Sequence, residues 1–444
     1  MSHDVASSTD LPRATMAALM LAAFTVSVGY GVVLPLLPYL IERLLEGGVE
    51  VAQVSRHTGL LTAVYTLSPF LFAPMWGRLA DRYGPRGVLL VGLFGFAVTM
   101  LIFSFVESLT AIYAERFLSG IFAAAVTPVA AAAIGNFSAT EQLRVRRFAF
   151  ASIAGITGFL LGPMLGVIVT RFAADLFTLV LPTGSITIPL AATSLLAFVV
   201  ATFAAFTVPS INGNVRSQKT MEIAVRKTPW LVPKLLILTF IVSAAVGVFE
   251  VGLALRGKQE MGLTPTQIAI MFTECSLVML VVQTIVFAPW FKPEMTRWLI
   301  APALSVLAAG LFFVPWASSF KLMLVVIGAV AASAGILSPI LTYWISAKAG
   351  SAQGWELGKQ TAAASLGVTL GSAAGGLLYN VAALPGASFV LTAVLAVLGF
   401  LLSLGLPHLL VRGNSGTGHL RARRRDRGTT VKENILRAEN DPVE

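Results

Sequence analysis

The sequence predicts an all-α integral membrane protein of twelve transmembrane helices, arranged as two six-helix bundles related by a pseudo-twofold axis. Three observations predict it. Hydrophobic residues make up 56% of the 444 and charged residues 12%, with a mean hydropathy of +0.83, too apolar for a water-soluble chain. The apolar residues are gathered into repeated runs of about 20, the length of a helix that crosses hydrocarbon, whereas barrel strands would be about 10 residues long and alternating. A glycine pattern in one run recurs near half the chain length further on.

Spans are expected at about 15–41, 58–76, 88–106, 109–134, 147–170, 187–208, 231–255, 266–290, 297–316, 322–344, 361–380 and 386–410. Met1 to Pro12 is polar, with two aspartates and no basic n-region, so the first span is expected to be retained. The organisation that follows is a tail at 1–14, a first bundle at 15–208, a polar linker at 209–230 carrying Arg216, Lys219, Arg226 and Lys227, a second bundle at 231–410, and a basic tail at 411–444 attracted to anionic lipid. With the N-terminus inside, 24 of the 31 Lys and Arg fall in cytoplasmic segments, which predicts a multi-pass protein with both termini in the cytoplasm. The net charge of +10 is therefore assigned to topology, and no nucleic-acid partner is expected.

The repeat is Gly158-x-x-x-Gly162-Pro163-x-x-Gly166 in span 5 against Gly367-x-x-x-Gly371-Ser372-x-x-Gly375 in span 11, each glycine displaced by 209. Gly120 and Gly328, in spans 4 and 10, are displaced by 208. Two offsets near half the chain indicate duplication, with a site between the two halves.

In chain order, span 1 holds Gly29-Tyr30-Gly31 and Pro35, a bent helix with a local polar lining, and Tyr30 and Pro35 are cavity candidates. Between spans 2 and 3, Gly77-Arg78-Leu79-Ala80-Asp81-Arg82-Tyr83-Gly84-Pro85-Arg86-Gly87 reads as a short cytoplasmic turn. Gly77, Asp81, Arg82, Gly84 and Arg86 are candidate gate residues, with Asp81 docking near the start of span 11, around Gln360, where free N–H groups favour an anion. Arg116 in span 4 lies on the order of 10 Å into the bilayer, where it either takes part in function, snorkels outward, or pairs with Glu115. The small residues of span 5 suit a hinge between halves or ordinary close packing. Glu250 in span 7 and Glu274 in span 8 fall roughly 8–12 Å below the outer surface and are candidate proton carriers, Glu250 ahead of Glu274, which also reads as a structural acid. Phe249 and Tyr343 are further cavity candidates. The lining lacks a cluster of Asn, Gln, Asp or Lys, which favours a lipophilic substrate, cationic ones included, over a sugar or a phosphate.

The charged turn between spans 2 and 3 resembles the signature of the major facilitator superfamily of secondary transporters at that place. Span 1 resembles the first helix of its drug-efflux members, without the embedded acid some of them carry there. Arg116-Phe117-Leu118-Ser119-Gly120 looks like the family's arginine motif, and Gly158 to Gly166 resembles the motif of its drug and proton antiporters; span 11 departs with Ser372 in place of the proline. Glu250 occupies the seventh helix, where several exporters of this superfamily place an essential acid. The resemblance covers roughly 15–410. It implies a secondary active transporter that exports a lipophilic small molecule in exchange for protons, working as a monomer with protons, substrate and bilayer as partners. The alternatives are another cargo (lysolipid, lipophilic metabolite or sugar) and a non-transporting receptor or scaffold with the same fold. No phosphate loop, metal-ligand cluster or nucleophile–base pair is visible, so neither an enzyme nor a cofactor or metal is expected; Cys275 is the single cysteine, and no disulfide can form.

Overall fold

The computed structural model describes residues 12–45, 50–136, 141–172, 187–209, 230–286, 288, 293–317, 319–348, 353–381 and 386–412. The expected linker and both tails lie almost wholly outside these. Among the described residues there are twelve long helices: α1 Arg13–Val33, α2 Val51–Tyr83, α3 Pro85–Phe103, α4 Leu109–Asn136, α5 Glu141–Phe172, α6 Thr187–Thr207, α7 Leu231–Gln259, α8 Pro265–Val286, α9 Thr296–Phe313, α10 Phe320–Lys348, α11 Gln353–Leu377 and α12 Ala387–Ser403. α1 passes through a 3-10 turn at Leu34–Leu36 into a short helix, Leu37–Leu44, and that turn is the bend expected from Pro35. Ten of the twelve are long and apolar enough to cross a membrane. α12 is apolar but has 17 residues, and a second short helix, Leu406–Arg412, follows it. α11 is rich in Gly, Ala and Ser, because it is enclosed by α2 and α7 and needs small side chains more than a greasy surface.

The glycines show the duplication as geometry. A Cβ added to Gly158 would strike the Phe24 carbonyl, and one on Gly162 would meet that of Val28 at 2.8 Å; Gly367 and Gly371 stand in the same way against the carbonyls of Phe240 and Ala244. In α5 and α11 the step is 209 (158 to 367, 162 to 371), and in α1 and α7 it is 216 (24 to 240, 28 to 244). The α1–α5 and α7–α11 pairs are thus the same packing unit used twice. Between bundles α2 packs on α11 and α5 on α8, the exchange expected of a pseudo-twofold axis.

This corrects one expectation. Gly158 and Gly162 face α1 of their own bundle, and Gly371 and Gly375 face α7 of theirs, so the contacts these strips make are within a half and not between halves. Pro163 is buried in α5; Gly166 lies a turn beyond Gly162 on the same helix, with surroundings outside the described residues.

The charged turn is also shorter than expected. α2 continues through Gly77, Asp81 and Arg82 to Tyr83, and α3 starts at Pro85, leaving Gly84 as the joint. Gly84 holds φ +89°, open to glycine and strained for other residues, and Pro85 fits the first position of a helix because it has no N–H to leave unpaired.

Candidate functional site

The site lies where the two bundles meet. A cavity of about 230 Å³ is lined by Ser27 and Tyr30 of α1, Gly155, Ile156 and Phe159 of α5, Val246, Phe249 and Glu250 of α7, Phe272, Cys275 and Met279 of α8, and Val330, Ala331 and Ala334 of α10. That is below the roughly 300–1,000 Å³ of pockets for drug-sized ligands. Its walls are aliphatic and aromatic, with Ser27, Tyr30 and Glu250 as the principal polar groups. Tyr30 Oη donates to Glu250 Oε2 at 2.7 Å, a bond that joins the first bundle to the second inside the cavity.

Behind Tyr30 a chain of rings and charges runs into the first bundle. Tyr30 stacks on Tyr65 with centroids 5.4 Å apart, and the Arg116 guanidinium lies 5.3 Å from the Tyr65 ring and 4.4 Å from that of Phe103. Arg116 is 2% exposed and holds Glu115 through Nε to Oε2 at 2.8 Å and Nη2 to Oε1 at 3.2 Å. Arg116 therefore pairs with Glu115 and does not snorkel outward.

Both ends of the junction between bundles are bridged. The end holding Gly84 is called inner here, after the loop-charge expectation. There the Arg78 guanidinium lies 3.6 Å from the Trp355 ring centroid, while Gly358 comes so close to α2 that a Cβ would meet Pro74 Cα at 2.9 Å. Arg86 Nη2 donates to the Ala205 carbonyl at 2.6 Å, tying α3 to α6 within one bundle, and the Arg82 guanidinium sits 5.3 Å from the neighbouring Tyr83 ring. Asp81 falls on α2, but its side chain lies outside the described residues, so its docking is not placed. Gln360 donates to Thr342 Oγ1 at 3.1 Å. At the outer end Lys258 of α7 pairs with Glu42 at 2.6 Å and donates to the Pro38 carbonyl at 3.1 Å. Ser55 Oγ of α2 accepts from both Gln259 and Asn380 at 2.7 Å, and Gly59 and Gly376 approach closely enough that a Cβ on Gly59 would meet Gly376 Cα at 2.8 Å.

Of the sequence-derived cavity residues, the structure brings together Tyr30, Phe249 and Glu250. Pro35 is buried in the 3-10 turn, away from the lining, and Tyr343 is core, its ring 5.2 Å from that of Trp344. Their type suggested a cavity; their helical phase turns them elsewhere. Glu274 does not join Glu250: it is absent from the lining. Arg78, Trp355, Ser55, Lys258 and Cys275 went unremarked as functional in the sequence, since each acquires its place only through a partner on another bundle or across the cavity.

The family model described as "Major Facilitator Superfamily" matches residues 19–355. Among related proteins, "Multidrug resistance protein 1" of Bacillus subtilis is 26% identical over 377 residues, 83% of this chain and 90% of that protein. "Tetracycline resistance protein, class B" of Escherichia coli is 34% identical over 140 residues, 32% of this chain and 33% of that protein. The crystal structure of the human organic anion transporter MFSD10 (TETRAN) superposes with a TM-score of 0.71 at 19% identity, covering 88% of this chain and 99% of that one, a likeness of fold.

Proposed function

Because the chain belongs to the Major Facilitator Superfamily, we propose that it is a secondary active transporter, not an enzyme, that exports a lipophilic small molecule, organic cations in particular, in exchange for protons by alternating access. Its relatives that bear resistance names support export. The observation that carries the coupling is the Tyr30–Glu250 hydrogen bond, 2.7 Å long, inside a cavity made by both bundles. Among the described residues Glu250 is the one carboxyl of the lining, so a cation and a proton are rivals for the same oxygens: protonation releases the cation, and a cation displaces the proton. The same acid touches the opposite bundle through Tyr30, so its occupancy bears on how the bundles sit. A sugar is poorly matched, since among the described residues the lining offers few polar side chains, chiefly Ser27, Tyr30 and Glu250, where a polyol would ask for many.

In this reading the chain works as a monomer in a bacterial inner membrane with both termini in the cytoplasm. The inner bridge of Arg78 on Trp355 opens when the cavity faces the cytoplasm, and the outer bridge around Ser55 and Lys258 opens when it faces out. The test is export of a fluorescent lipophilic cation from proteoliposomes under an imposed pH gradient. Glu250→Gln is expected to abolish the pH-driven component; export with unchanged pH dependence would reject the coupling.

A further inference from the structure

α8 presents two different faces at mid-depth. Phe272, Cys275 and Met279 line the Glu250 cavity. On its other side Ile270, Leu277, Val281 and Ile285 are 50–57% exposed, a stripe that in a membrane lies against lipid. Steps of four and three residues place Glu274 between Ile270 and Leu277 on that stripe, because residues so spaced share one face of a helix. Nine residues separate Glu274 from the start of the helix at Pro265, which at about 1.5 Å per residue is about 14 Å, near the middle of a hydrocarbon layer about 30 Å thick. Glu250, nine residues from the end of α7 at Gln259, lies at the same depth on the cavity side. One oxygen of Glu274, Oε2, is covered by protein and has no hydrogen-bond partner.

Glu274 is half-buried on this stripe, and a charged carboxylate facing hydrocarbon is costly unless a proton or a cation neutralises it. Lipid amines sit at the surface, on the order of 15 Å away. The cation that reaches this depth is one carried by its own apolar body. We propose that Glu274 is a membrane-side docking site for an amphiphilic organic monocation, which sets its charge on this carboxylate and its body along Ile270 and Leu277 before passing round α8 into the Glu250 cavity. The proposal rests on the export reading above. The two junctions between bundles differ: α2 and α11 are closed by glycine contacts from Gly59–Gly376 to Gly358–Pro74, whereas α5 and α8 meet through larger side chains, the rings of Phe159 and Phe272 in edge contact, 5.9 Å between centroids, on the side where the cavity lies.

The test uses the full chain in proteoliposomes, with a dye bearing a trimethylammonium group and its uncharged tert-butyl isostere as probes. Glu274→Gln is expected to raise KM for the charged dye by roughly fivefold or more, with kcat and the KM of the isostere unchanged, and Glu274→Asp to retain wild-type behaviour. An equal rise for both probes marks a structural effect and overturns the proposal. No change for the charged dye overturns it as well, while the export reading stands if Glu250→Gln still abolishes driven export of the same dye. In the unaltered protein a lipid-soluble carbodiimide is expected to modify Glu274, found by peptide mapping, and the charged dye to protect it; modification without protection also defeats the docking site.

Discussion

Tyr30 and Glu250 reach each other from opposite bundles, and the bond between them is short and set in an apolar surround. A hydrogen bond to a charged group contributes roughly 1.5–3 kcal/mol, or about tenfold to a hundredfold in an equilibrium. Tyr30→Phe keeps the ring stack on Tyr65 and removes that bond alone, so pH-driven export should fall by about tenfold or more while the protein stays folded; an unaltered rate would show that the bond plays no part in coupling. Deeper in the same bundle, Glu115 and Arg116 are both buried and satisfy one another. Taking one partner from a buried ion pair typically costs about 3–5 kcal/mol, because the other charge is left uncompensated, whereas replacing both with apolar groups is near neutral. Thermal unfolding in detergent should therefore show Glu115→Gln strongly destabilised and the double variant Glu115→Leu with Arg116→Met much less so. Export retained by the double variant would make the pair structural, and export lost with the fold intact would assign it to function.

At the scale of helices, α11 shows how one element serves two neighbours. Gly358 and Gly376 are 18 residues apart, five full turns, and both face α2, while Gly367 is nine residues from each, half a turn out of phase, and faces α7. The side chains are small on both faces because two helices approach at once. The equivalent contacts of Gly162 on α1 and Gly371 on α7 lead to a matched prediction: Gly162→Leu and Gly371→Leu should each lower stability by about 1–3 kcal/mol or more, since a Cβ already meets a backbone carbonyl that has nowhere to move. Thermal melts of the two variants check it. A large loss for one and none for the other would contradict the equivalence of the two units.

Over the whole molecule, the two bridged ends are built from weak contacts. An ion pair with one exposed partner, such as Lys258–Glu42, is worth on the order of 1 kcal/mol, and a cation–π contact such as Arg78–Trp355 about 0.5–2 kcal/mol. Either end can therefore open without unfolding, and the balance between them is set by what occupies the cavity. The single cysteine lines that cavity and reports its opening. Lys258→Ala combined with Ser55→Val should speed alkylation of Cys275 by a membrane-impermeant maleimide added outside, by several-fold, and Arg78→Ala should do so from the inner side. Rates unchanged in either variant would mean that these contacts do not hold the ends closed.

Much of this plan was legible in the residues. The membrane class follows from composition, the helices from run length, and the duplication from glycines 209 apart, because hydrophobic length and close helix approach leave marks on the sequence at fixed spacing. Glu250 was legible too, as a carboxylate in an apolar helix needs a reason to be there. The faces were not. Whether Tyr343 lines a cavity or fills a core, whether Glu274 meets Glu250 or lipid, and whether the Gly158 strip faces its own bundle or the other depend on a rotation of about 100° per residue about axes that only packing sets. The bond from Tyr30 to Glu250 and the bridges at Trp355 and Ser55 join residues hundreds of positions apart, and no local pattern announces them. The sequence alone determined which helices exist and which acids must be accounted for; the tertiary structure decided which way each one faces, because that is settled by the helix on the other side of the contact.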